Sequence, residues 1–188
     1  MRSLIIFDKD GTLVTSTTSG PPNKVSEQVP IPGVAYYCER MRAEGQVLAV
    51  ASNQGGVAFG YTSLEEATAM VRAAADLIGA AAYRLCPYHP EGIVFNDPAP
   101  ACRKPEAGML LELMGTLRFK PSETLMVGDD EADRGAAENA GVTFMFADDF
   151  WAFCAEVYGA VPSAWLMGHG GAEGEVGAAP QDGEQTKG

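Results

Sequence analysis

Leu4-Ile5-Ile6-Phe7-Asp8-Lys9-Asp10-Gly11-Thr12-Leu13 is the stretch that decides the fold. Its first four residues form an unbroken apolar run, which reads as a strand covered on both faces, since a half-exposed strand would alternate. Two carboxylates follow at spacing i, i+2. In an extended chain, Asp8 and Asp10 project to the same side, roughly 6–7 Å apart. Gly11 then allows a backbone departure that a residue with a Cβ would resist. Carboxylates placed in this way repel each other unless a cation or a shared proton intervenes. They also make a useful pair, one to attack an electrophile and one to move a proton.

Around this stretch the chain alternates strands and helices. Apolar runs predict strands at 47–51, 81–86, 124–127 and 142–146, besides 4–7. Helical spacing predicts helices at 33–44, 106–117, 131–140 and 149–158. Another is expected from the Ser63-Leu64-Glu65-Glu66 capping box to Ile78, stopping near Gly79. The Ser/Thr/Gly/Pro-rich stretch 15–32 reads as a connection. Strands separated by helices imply right-handed crossovers and a doubly wound, mainly parallel α/β sheet with helices on both faces.

The 188 residues suffice for one domain, expected over 1–160. The Gly/Ala/Glu-rich tail 168–188 has too little apolar surface to offset its ordering entropy and is expected to be disordered. No apolar run reaches the ~18 residues of a membrane span, so no membrane partner is expected and the cytoplasm is the expected compartment. Cys38, Cys86, Cys102 and Cys154 are too sparse for a disulfide framework, and reduced thiols are expected. The net charge of −12 disfavours nucleic acid, which needs a basic stripe, while leaving room for local contact with one phosphate.

In such sheets ligands bind beyond the carboxyl ends of the strands. Asp8 and Asp10 stand at one such end, Ser52-Asn53-Gln54-Gly55-Gly56 at a second, and Gly128-Asp129-Asp130 with Asp133 at a third. Arg103-Lys104 precedes the helix at 106–117. Singly, each could be a turn or a helix cap. Jointly and in this order they describe a phosphate site.

This order of motifs resembles the haloacid dehalogenase (HAD) superfamily. It is most similar to the capless group of heptose-bisphosphate, histidinol-phosphate and polynucleotide 3′-phosphatases. The resemblance is carried by Ser52-Asn53-Gln54, Cys86-Pro87-Tyr88-His89-Pro90, Cys102-Arg103-Lys104-Pro105 and Val127-Gly128-Asp129 with Asp133. It implies a magnesium-dependent phosphomonoesterase working through an aspartyl-phosphate. Asp8 would be the nucleophile, Asp10 the general acid/base, Lys104 the charge neutraliser and Ser52 a phosphate ligand, with Asn53 and Arg103 also at the substrate. Magnesium would be held by Asp8, Asp129 and the carbonyl of Asp10. Asp130 and Asp133 would orient metal waters or Lys104.

The heptose and histidinol relatives carry a zinc loop of three cysteines and one histidine. Here Cys86 and Cys102 keep the outer positions, but Tyr88 and Pro100 replace two inner ligands, and His89 sits one residue late. Structural zinc takes four N/S ligands, so the incomplete set predicts no bound zinc and a loop held by Tyr88 and proline packing. The segments 13–33 and 86–104 are too short for a folded cap. The expected substrate is a small sugar phosphate or bisphosphate, such as D-glycero-D-manno-heptose 1,7-bisphosphate. A 3′-phosphorylated DNA end ranks second, from the Thr15–Gly20 run, and histidinol phosphate third. Oligomeric state is not legible.

Overall fold

The computed structural model describes residues 2–163 and 165; the tail 168–188 lies outside the described residues. Five parallel strands form the central sheet: β1 (Leu4–Phe7), β4 (Val47–Asn53), β5 (Ala82–Cys86), β6 (Thr124–Gly128) and β7 (Thr143–Phe146). Their spatial order is β5-β4-β1-β6-β7. The first strand of the chain is therefore the middle strand of the sheet, and the winding reverses direction beside it. That is the switch point at which α/β sheets open a crevice.

The unbroken apolar reading of β1 is explained by its two neighbours in depth. Ile5 and Phe7 join one buried cluster with Val34, Met41, Val71, Ile78 and Phe150. Leu4 and Ile6 join the opposite cluster with Met109, Leu110, Leu113, Ala136 and Ala137. Successive side chains point to opposite faces, so both sides of the strand must be apolar. Helices α1 (Val34–Ala43), α2 (Leu64–Ile78) and α5 (Ala147–Tyr158) cover the first face; α3 (Gly108–Leu117) and α4 (Glu131–Ala140) cover the second. Among the described residues no helix is long and apolar enough to cross a membrane.

Three expectations need correction. The 15–32 connection contains a two-stranded antiparallel hairpin, β2 (Val14–Ser16) and β3 (Gln28–Pro30). It stands apart from the main sheet, and its three-residue strands are too short to show an alternating pattern. Second, Ser63 accepts from the Glu66 N–H as a cap should, but the Glu66 carboxylate accepts from the Val25 N–H at 2.9 Å, tying α2 to the hairpin. Third, Cys86 and Cys102 are joined in a disulfide, leaving only Cys38 and Cys154 as buried free thiols. Reduced thiols throughout were expected from cysteine frequency, which carries no information about two residues that folding brings together from 16 positions apart. The disulfide, rather than Tyr88 and proline packing alone, fastens the 87–102 loop to the end of β5.

Candidate active site

Each strand that ends near the switch point delivers one group. β1 ends at Asp8, whose N–H donates to the Val127 carbonyl of β6 at 2.8 Å, so the residue leaves the sheet still registered to it. The chain then folds back on itself, with the Leu13 and Val14 N–H groups both donating to the Lys9 carbonyl. Gly11 takes φ +78° in this turn, and Asp129 from the end of β6 lies against its bare Cα. A Cβ there would fall 2.1 Å from Asp129 Oδ2, so glycine is required both by backbone and by space.

Lys104 crosses beneath this turn. Its Nζ pairs with Asp8 Oδ1 and with Asp133 Oδ1, both at 2.5 Å, and donates to the Ala51 carbonyl at 2.9 Å. All three charged groups are buried: Asp8 is 7% exposed, Lys104 3% and Asp133 1%. Burial alone would favour neutral Lys104, but Asp8 and Asp133 outweigh it and raise the ammonium pKa. Asp8 is raised chiefly by burial, with Lys104 opposing and Asp10 adding repulsion. Burial pushes Asp133 up to about 7 and Asp129 up to about 6, the charge of Asp8 adding to both. Asp133 also accepts from the backbone N–H groups of Asp129 and Asp130, and its own N–H donates to Asp130 Oδ1, the cap of α4.

Asp10 stands at the edge of the same pocket, half-exposed, and is held by two residues that spacing did not single out. The Lys9 ammonium, wholly buried, pairs with Asp10 Oδ1 and donates to Gln28 Oε1 of β3 at 3.0 Å. Gln54 Nε2 donates to Asp10 Oδ2 at 3.2 Å and to Ser52 Oγ at 2.8 Å. The position of Lys9 between two aspartates was the available signal, since a cation there offsets their repulsion. Nothing in the sequence pointed to Gln28, because its partner lies on another element.

Ser52 is buried at the end of β4. Asn53 lines the pocket, yet its amide is spent on Lys104: Nδ2 donates to the Lys104 carbonyl and Oδ1 accepts from the Lys104 N–H, both at 3.0 Å. Arg103, half-buried, donates from Nη1 to the Tyr88 carbonyl at 3.2 Å and lines the opposite wall. One cavity of about 710 Å³ is lined by Asp8, Asp10, Asn53, Arg103, Lys104 and Asp129, whereas Ser52, expected as a phosphate ligand, lies behind Gln54 and is not among the lining residues.

The comparisons with known proteins converge on one family. A family model described as HAD-hydrolase-like matches residues 101–148. The D-glycero-beta-D-manno-heptose-1,7-bisphosphate 7-phosphatase of Haemophilus ducreyi is 31% identical over 149 residues, covering 75% of this chain and 80% of its own. That of Haemophilus influenzae is 31% identical over 150 residues, covering 76% and 79%. The chain belongs to the HAD superfamily. A solved HAD relative, the D,D-heptose 1,7-bisphosphate phosphatase of B. bronchiseptica complexed with magnesium and phosphate, superposes with a TM-score of 0.64 at 28% identity. The match covers 76% of this chain and 78% of that one.

The donor set of this HAD protein fits a hard divalent cation. Among the described residues, Asp8, Asp129 and Asp133 bring carboxylate oxygens within 4.8 Å of one another. Lys104 is the cation that pairs within this set, so three clustered carboxylates outnumber it, and the charge of Asp8 adds to the burial that raises Asp129 and Asp133. Magnesium takes oxygen ligands of this kind and keeps several waters. The soft-ligand set differs. Cys86 and Cys102 are bonded to each other, and His89 Nδ1 accepts from the Glu91 N–H at 3.1 Å, so these three do not converge as metal ligands.

Proposed function

We propose that this chain is a magnesium-dependent phosphatase of small sugar phosphates or bisphosphates, acting in the cytoplasm through a single domain over 1–160. The observation that carries the reading is the buried Asp8–Lys104–Asp133 array at the sheet's switch point, with Asp10 beside it in the same cavity. Magnesium, held by Asp8, Asp129 and the Asp10 carbonyl, would neutralise phosphoryl charge and let a carboxylate approach a phosphate dianion. Asp8 attacks phosphorus as the bond to the leaving oxygen breaks, forming an aspartyl-phosphate. Asp10 gives its proton to that oxygen, then takes one from the water that cleaves the new P–O bond and releases phosphate. Lys104 stands beside the attacking carboxylate, where charge spreads over the equatorial oxygens. Lys9 and Gln54 fix Asp10 in the proton-transfer position.

The substrate class rests on three supports. The relatives just described bear heptose-bisphosphate phosphatase names. Arg103, next to Lys104 in sequence, can take a second, distal phosphate bidentately. The charge of −12 disfavours a polyanion, since each gripped phosphate needs its own cation. Activity against sugar bisphosphates, sugar monophosphates, histidinol phosphate, nucleotides and 3′-phosphorylated oligonucleotides at matched ionic strength decides the matter. The highest specificity constant is expected for a sugar bisphosphate; a higher value for the oligonucleotide would replace this reading with a DNA-end phosphatase.

A further inference from the structure

The cavity is larger than a phosphoryl group requires, and its outer wall is aromatic. Phe59 and Tyr61 lie nearly parallel, with ring centroids 5.6 Å apart and planes 23° from each other. The His89 ring lies 4.8 Å from that of Phe59, tilted by 50°. All three line the same cavity as Asp8. The wall is built by the turn after β4. Val57 N–H donates to the Gln54 carbonyl, Gly60 N–H to the Val57 carbonyl, and Tyr61 N–H to the Gly56 carbonyl. Gly60 at φ +75° closes this turn and allows residues two apart to stack their rings. Tyr61 remains 72% exposed at the mouth, an apolar surface the fold itself does not cover.

The chemistry of the walls is asymmetric. Thr18, Ser19, Asn23 and Thr62 also line the cavity, the Thr18 and Thr62 hydroxyls donating to the Gly20 and Asn23 carbonyls. Arg103 sits between the aromatic wall and the phosphate end: a Cβ on Gly55 would lie 3.3 Å from Arg103 Nη1 and 3.5 Å from His89 Cδ2. A slot with a π-faced wall, polar side groups and a cation at its inner end matches a ring with an apolar C–H face, a hydroxylated rim and a phosphate. A phosphorylated pyranose has all three. An open-chain polyol lacks the flat face, and a nucleobase lacks the hydroxylated rim.

We propose that Tyr61, Phe59 and His89 form a ring-stacking subsite that receives the C–H face of a phosphorylated pyranose. This deepens the phosphatase reading and rests on it. The partial positive charge of sugar C–H groups meets the negative faces of the Tyr61 and Phe59 rings, and water leaves both surfaces. Tyr61 acts on binding of the ring and is remote from proton transfer, so its removal should show in KM rather than in kcat.

The test compares glucose 1,6-bisphosphate, glycerol 3-phosphate and a nucleoside 5′-monophosphate on wild type, Tyr61→Ala, Phe59→Ala and Tyr61→Phe. Tyr61 is exposed, so its alanine variant keeps the fold even if that of half-buried Phe59 does not. The ratio of KM for the pyranose to KM for glycerol 3-phosphate should rise about tenfold in Tyr61→Ala, the scale of one aromatic contact. It should return to the wild-type ratio in Tyr61→Phe. Equal KM changes for pyranose and glycerol phosphates would overturn the subsite while leaving the phosphatase reading standing. A larger change for the nucleotide than for the pyranose would overturn it in favour of base stacking. Wild-type protein that hydrolyses neither these three nor any compound of the panel above removes the phosphatase reading and this inference with it; activity on that panel without hydrolysis of glucose 1,6-bisphosphate overturns the pyranose subsite alone.

Discussion

The base and the rim of the cavity are built on opposite terms. At the base, Asp8 just past β1, Lys104 on the loop before α3 and Asp133 in α4 are nearly inaccessible and are held by one another's charge. At the rim, Arg103, His89 and Tyr61 sit on loops, held by single hydrogen bonds, ring contacts and the Cys86–Cys102 link. Loss of a partner at the base leaves a buried charge uncompensated, whereas loss at the rim leaves a group that water can reach. Chemistry placed at the base and selectivity placed at the rim can therefore change independently.

The sharpest way to separate the two regions is Asp8→Asn. An amide does not attack phosphorus at a useful rate, so turnover should fall by at least about 10⁴-fold while the circular dichroism spectrum stays that of the wild type. Residual activity of a few per cent would remove Asp8 from the nucleophile role. Asp10→Asn should follow with a loss of about 10²–10⁴-fold.

Next in size is a stability effect. Lys104→Met leaves Asp8 and Asp133 buried without their cation and should cost about 3–5 kcal/mol in urea unfolding. Adding Asp133→Asn should recover part of that loss. A single variant as stable as the wild type would show that the base is not held by charge.

At the rim, Cys102→Ala removes a covalent closure across 16 positions, which by loop entropy is worth about 3 kcal/mol. Reductant on the wild type should lower the melting temperature to that of Cys102→Ala and leave Cys102→Ala unmoved. If reductant shifts the two proteins equally, the link does not fasten this loop.

The smallest effect concerns pH. Asp129 has its folded-state pKa raised from 3.8 to about 6, so the folded state holds that proton more tightly than the unfolded chain. That stabilisation is present below about 4 and is lost as pH climbs through 6; Asp129 is exposed, so water screens its share, and the nearly inaccessible Asp133, raised to about 7, carries the larger part of the decline. Metal-free protein should therefore melt a few degrees lower at pH 7.5 than at pH 5. Magnesium should reverse the fall by binding the ionised carboxylates. Asp129→Asn should flatten part of the pH profile and the magnesium response in a thermal-shift series; an unchanged magnesium response would place the ion elsewhere.

The base was more legible in the sequence than the rim, for a physical reason. Strand runs such as 4–7 and 124–127 announce their own ends, and a parallel sheet gathers those ends on one edge. Asp8, Ser52 and Asp129 were thus placed by pattern alone. The partners that hold them were harder to see. Gln28 meets Lys9 from a three-residue strand, and Glu66 leaves its expected cap to bond Val25. Asn53, expected at the substrate, lines the cavity and also grips the Lys104 backbone. Such pairings depend on how loops pack across the sheet edge, and no local periodicity encodes them.

The central place of β1 has a consequence during synthesis. β1 is made before both of its neighbours, β4 and β6, so its second edge stays unpaired until residues 124–128 have been made. The Val127 carbonyl that receives the Asp8 N–H arrives with them, after Lys104 and just before Asp133. Non-local pairing of this kind postpones the last folding steps until most of the chain exists. A nascent chain carries its aspartate pair early, with no neighbouring strand end to complete the phosphate site. The cluster of Asp8, Asp129 and Asp133 therefore closes late and in one step, once the end of β6 and the start of α4 are both in place.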